Sequence, residues 1–131
     1  MTLLEVSAVD VKTAFYAWLV AKAPGTVTDI GEENYQGQSF VYPCIRYRVE
    51  TYPDGCGNRE VLCTISVLSE GTSSLEATQI MDTLVSSIHQ HVMVSSGIRL
   101  QVSTVLGKQR SVREDRRWRE EVSFKCLASR T

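Results

Sequence analysis

Long apolar runs are missing from this chain of 131 residues. The longest cover a few positions, against the roughly 20 that a bilayer-spanning helix needs, so a membrane class is not expected. The opening Met1-Thr2-Leu3-Leu4-Glu5 has no basic stretch ahead of an apolar one, as a secretory signal would, and the chain is expected to remain in the cytosol where it is made. Histidine is nearly absent: only His89 and His91 occur, two apart near the end of a helical segment, where they point to different sides and cannot hold one metal together. Closely paired cysteines are absent too. Cys44, Cys56, Cys63 and Cys126 are spaced by 12, 7 and 63 residues, unlike a zinc signature. Three of them stand among apolar strand residues, where a reduced thiol packs as a small hydrophobe, whereas Cys56 in a Gly-Cys-Gly turn is expected at the surface. The sequence also lacks a nucleophile elbow, a phosphate-binding P-loop and a dinucleotide glycine fingerprint. The acidic pairs Glu32-Glu33 and Glu120-Glu121 have no nucleophile beside them, and neighbours on a strand face opposite ways, so no enzyme activity, cofactor or metal site is expected.

What is present reads as one domain over residues 1–131, long enough to bury roughly two-thirds of its unfolded surface. Apolar residues at 43% and charged residues at 22% match a globular chain. Val11, Ala14, Phe15, Trp18 and Leu19 follow helical spacing, with Ser7 as the cap, Asp10 at the positive end of the dipole and Pro24-Gly25 as the stop. Thr26 to Ile30 reads as a short strand and Gly31 to Ser39 as a polar loop. From Phe40 to Tyr52, Ile45, Tyr47 and Val49 alternate with Arg46, Arg48 and Glu50, and Pro43 belongs at a strand end, edge or bulge. A Pro-Asp-Gly-Cys-Gly-Asn turn then leads into Val61, Cys63, Ile65 and Val67, giving a hairpin over residues 40–69. Its second strand is apolar on both faces, which suits an interior strand or a face covered by another subunit.

A second helix is expected to open at a Ser73-x-x-Glu76 capping box and to end near His91, with Ala77, Ile80, Met81, Leu84, Val85 and Ile88 as its buried stripe. Strands over 98–103 and 122–127 complete an α+β arrangement: a mostly antiparallel twisted sheet of about five strands with two amphipathic helices packed on one face. Phe15, Trp18, Leu84 and Ile88 are expected to pack against Tyr47, Ile65 and Phe124.

The least ordinary stretch is Gly107 to Arg119. It holds Lys108, Arg110, Arg113, Arg116, Arg117 and Arg119 against Glu114 and Asp115, a local charge of +4 in a chain of net −1, which leaves −5 for the remainder. Such asymmetry favours a partner site for anions or acidic protein surface, and arginine suits bidentate interface pairing. The alternative is a solvated hairpin loop whose acids neutralise their neighbours. A stand-alone nucleic-acid module is a further alternative. Its sheet should display aromatics on an open face, whereas Tyr47 and Phe124 fall in the alternation that faces the helices.

The N-terminal amphipathic helix, the Pro-Cys-Ile-Arg-Tyr strand at 43–47, the second helix after a serine-rich cap and the closing Arg119-Glu120-Glu121-Val122-Ser123-Phe124 strand together resemble the tail-terminator, or tail-completion, proteins of long-tailed bacteriophages. The resemblance spans nearly all of residues 7–128 in length and element order, without a strict motif. It implies a virion protein, assembled in the host cytoplasm, that forms a ring, commonly a hexamer. The ring would cap the tail tube protein, end its polymerisation and join it to a neck or connector protein, with DNA passing through the lumen. The Arg-rich residues 108–119 would then meet a neighbouring subunit or line that lumen.

Overall fold

The computed structural model describes residues 5–33, 40–88, 92–114 and 117–131, with the side chains of 106–112 and 114 left aside. Its elements run α1 (Ala8–Lys22), β1 (Asp29–Glu32), β2 (Cys44–Pro53), β3 (Arg59–Glu70), α2 (Leu75–Ile88), β4 (Val92–Ser95), β5 (Ile98–Glu114) and β6 (Arg117–Arg130). The six strands form one sheet in the order β1-β2-β3-β6-β5-β4, with β1 parallel to β2 and every other pairing antiparallel. The protein is therefore α+β. Among the described residues, no helix is long and apolar enough to cross a membrane.

The helices begin where local chemistry permits. Ser7 Oγ accepts the Asp10 N–H at 3.0 Å and Asp10 returns a carboxylate oxygen to the Ser7 N–H at 3.1 Å, a complete capping box. The expected box at Ser73 is not formed. Ser73 Oγ instead accepts the Leu75 N–H at 3.1 Å, so the serine sits two residues ahead of the helix's first residue and Glu76 has no cap to complete.

Both helices lie on one face of the sheet. Val11, Phe15, Trp18 and Leu19 of α1 and Ala77, Met81, Leu84 and Ile88 of α2 join Ile45, Tyr47, Cys63, Ile65, Val122 and Phe124 in one core. Phe15 is its centre, with its ring 5.5 Å from Tyr47, 6.0 Å from Trp18 and 6.1 Å from Phe124. Edge and tilted ring contacts of this kind add to area burial. Tyr47 and Phe124 thus face the helices, as the alternation predicts. β3, flanked by β2 and β6, is the interior strand that its two-sided apolarity indicates.

Three further details differ from expectation. The sheet has six strands rather than five, because Val92-Met93-Val94-Ser95 forms a short strand where only Met93 turns inward. The turn that follows, Ser96-Gly97, holds both residues at positive φ (55° and 75°), the conformation tight hairpins need and one that glycine adopts without strain. The first strand is displaced to Asp29–Glu32, and the second starts only at Cys44, just past Pro43, whose ring offers no ladder donor. Most consequentially, residues 107–114 and 117–119 are not a loop. They are the second arm of β5 and the first of β6, paired from Arg110↔Glu121 to Glu114↔Arg117, and β6 is in turn paired with β3 as far as Glu70↔Arg117. Register shifts between Val102 and Thr104 and between Leu106 and Arg110 break the two-residue alternation, which hides the strand from a periodicity reading.

Candidate interaction surface

The six basic candidates divide by position. Arg116 lies outside the described residues, and so do His89 and His91. Lys108 and Arg110 stand on β5, their side chains undescribed, with Arg110 directly across from Glu121 in the ladder.

The remaining three are engaged with their own chain. Arg113 is exposed, yet its Nη1 donates to the Gly71 carbonyl at 2.7 Å and its guanidinium lies 5.3 Å from the Trp118 ring. It therefore ties β5 to the turn that leads into α2. Arg117 lies 4.9 Å from the Phe40 ring. Arg119 sits on the far face of the sheet from the helices, where its Nη1 donates to Glu33 Oε1 and to Ser66 Oγ, both at 3.1 Å, with Glu121 at 3.8 Å.

That far face carries a polar network which the alternation of Arg46, Arg48 and Glu50 only partly indicates. Glu33 is shared by Arg119 and by Arg48 Nε at 3.2 Å. Arg46 is 4% exposed and forks onto Asp29, with Nη1 to Oδ1 at 2.9 Å and Nη2 to Oδ2 at 3.0 Å, while its guanidinium lies 4.9 Å from the Phe40 ring. The Arg46 fork holds the Asp29 carboxyl below its ordinary range, against a smaller upward push from burial, and the Val41 N–H donates to the same carboxylate at 3.0 Å. These bonds fasten Asp29, Glu33 and Val41 at one half of the outer sheet face, where Cys44, Arg46, Ser66 and Leu68 are buried. Distant in sequence, Asp29, Glu33 and Arg119 give no spacing signal that would pair them.

The acidic pairs behave as strand geometry requires. Glu120 is buried on the helix side, where its Oε2 accepts the Thr78 hydroxyl at 3.2 Å, while Glu121 on the outer side accepts the Ser66 hydroxyl at 3.3 Å. Glu32 is exposed, 4.0 Å from Lys12. The cysteines are free thiols, with Cys44, Cys63 and Cys126 buried and Cys56 exposed. Burial pushes the Cys44 thiol up to about 11 and raises Cys63, further lifted by its bond with Cys126. Such protonated thiols are poor nucleophiles and poor metal ligands. Among the described residues, no group of three or more His, Cys, Asp or Glu could hold a metal ion.

Two open features remain. β4 pairs with β5 only over Ile98–Gln101, so among the described residues the backbone of β5 from 102 to 114 has a neighbour on one side only. The other half of the outer sheet face, beyond those fastened residues, is left uncovered by the described residues around Tyr52, Glu60, Leu62, Lys125 and Leu127. Comparison with known proteins adds no identity: no family model matches the chain, and no curated protein matches it significantly.

Proposed function

We propose that the chain is a structural subunit of a homo-oligomeric ring, of the kind that ends a bacteriophage tail tube and joins it to the neck. The observation that carries this reading is the open edge of β5 from 102 to 114. A long strand edge with unpaired backbone groups is a ready template for a neighbouring chain unless it is covered. This one carries Lys108, Arg110 and Arg113 on a chain that is otherwise acidic. A basic edge repels its own copy placed edge to edge and favours a different, acidic surface of the next subunit, which is the heterologous contact that closes rings. On this reading the partners are other copies of the chain, six subunits in all by resemblance, with tail tube protein on one side and a neck or connector protein on the other. DNA passes through the lumen, and the protein resides in the virion.

The test is the mass in solution by light scattering across a concentration series, with negative-stain images of the same sample. The expected result is a closed ring at a small multiple of 14.6 kDa that dissociates as salt is raised. Open filaments, or a strict monomer at every concentration and salt, would overturn it.

A further inference from the structure

α1 is apolar on two sides. Val11, Ala14, Phe15, Trp18 and Leu19 are buried against the sheet, but Val9, Thr13, Tyr16 and Val20 recur at i, i+4, i+7 and i+11 on a second side. Val9 is 73% exposed, Val20 48% and Tyr16 44%. A helix apolar all round normally lies inside a structure, so the outer stripe has an unmet partner. The second unpartnered surface is the open half of the outer sheet face. It displays Tyr52, 53% exposed, beside Glu50, Glu60 and Leu62. A depression of about 280 Å³ lies there, lined by Tyr52, Glu60, Leu62, Ser103 and Lys125 together with Val61 and Cys126. It falls just short of the roughly 300–1,000 Å³ of small-molecule clefts and suits a single large side chain.

The two surfaces look in different directions: α1 packs on the inner sheet face with Val9 and Val20 turned away from it and Tyr16 on its flank, half-exposed with its ring 6.4 Å from that of Tyr47, while the depression is on the outer face. They cannot meet within one molecule, but they can meet between two. We propose that the α1 stripe of one copy seats in the outer-face depression of the next, with Tyr16 as the side chain that enters it. This inference rests on the ring reading and adds to the β5 edge a second contact between neighbouring subunits. Net charge agrees with the pairing: the exposed positions of α1 carry Lys22 and Lys12, the latter 4.0 Å from Glu32 of its own chain, and no acid, while around Tyr52 and Leu62 the two acids Glu50 and Glu60 outnumber the one cation, Lys125. Two different patches of one subunit give a head-to-tail contact, which repeats around a ring where its rotation closes. A buried aromatic anchor in a socket is also where binding energy concentrates.

Tyr16→Glu places a charge in the socket. It should weaken association at least about 30-fold, the loss expected of a central anchor, while circular dichroism stays as in wild type and the subunit's denaturation midpoint falls only by the loss of the 6.4 Å contact with Tyr47, which Tyr16→Ala, measured alongside, reports by itself. Placement is read by cross-linking in a Cys56→Ser background. Val20→Cys subunits mixed with Leu62→Cys subunits should form a disulfide-linked pair on mild oxidation, and neither variant alone should do so. A ring that survives Tyr16→Glu with no mixed cross-link overturns the interface and leaves the ring reading standing. Efficient cross-linking of Val20→Cys with itself overturns the head-to-tail arrangement in favour of a two-fold pair. A wild-type protein that stays monomeric throughout overturns both.

Discussion

Replacing Asp29 by asparagine probes the clasp between Asp29, Val41 and Arg46. In the native protein Arg46, 4% exposed, gives two short charge-assisted bonds to the carboxylate and a third, at 3.0 Å, to the Ile45 carbonyl. The amide introduced by Asp29→Asn would keep one acceptor and turn an N–H₂ group towards a guanidinium that can only donate, depriving a nearly buried cation of this counter-charge. Breaking a fully buried pair from one side costs about 3–5 kcal/mol. The Asp29 side chain retains 23% exposure, so water can replace part of what is lost, and about 2–3 kcal/mol is expected. Urea titration at neutral pH should show the midpoint lowered by that amount with the slope unchanged. The pH dependence supplies an independent check. Because the folded carboxyl titrates below the unfolded value of about 3.9, its contribution is fully present above that pH and is lost as pH falls through the folded value. The wild type should therefore fall towards the variant in acid, and the gap between them should narrow. A neutral-pH difference under about 0.5 kcal/mol, the level of ordinary surface changes, or a gap that stays constant into acid, would refute the argument.

Trp18→Ala should cost about 3–5 kcal/mol, since the indole is 5% exposed and packs on Phe15 at the core's centre; a loss under about 1 kcal/mol on denaturant titration would contradict that placement. Arg119→Ala should destabilise the isolated subunit by about 1–3 kcal/mol by removing one of the two arginines that share Glu33, measured as the midpoint shift against Lys108→Ala, which should move it little. Thiol titration of the native protein should find one rapidly reactive cysteine, Cys56, and all four only after denaturation; a second fast thiol would show that the buried strands open more readily than their burial implies.

Elements whose periodicity is local were legible in the sequence. α1 with its Ser7 cap, the hairpin of β2 and β3, the inward Tyr47 and Phe124, and the division of three buried cysteines from one exposed all follow from alternation or helical spacing. What escaped depends on partners far away in the chain. The basic run at 107–119 reads as a loop because its β propensity is weak and its bulges scramble the alternation; its described residues become strand because β6 and then β3 complete the ladder. Ser73 could be recognised as a capping residue, but not that its hydroxyl would serve Leu75. Of the candidate surface, composition marked the basic edge. Nothing local could reveal that Arg119 would reach Glu33 across 86 positions, or that Val9, Tyr16 and Val20 would be left outside by a helix already buried on its other side.

The sheet order also bears on how the protein comes into being. β6, which follows the other five strands in chain order, lies between β3 and β5. During synthesis β1 to β3 and then β4 and β5 emerge as two half-sheets with no seam between them, and β3 offers its bare inner edge until residues 117–130 arrive. Cooperative folding must therefore wait for that insertion, which zips both halves at once through pairings such as Arg59 with Ala128 and Ile98 with Arg130. A ribosome stalled within β6 would present a sticky, half-closed sheet, so sound folding depends on β6 emerging before the open edges meet other chains.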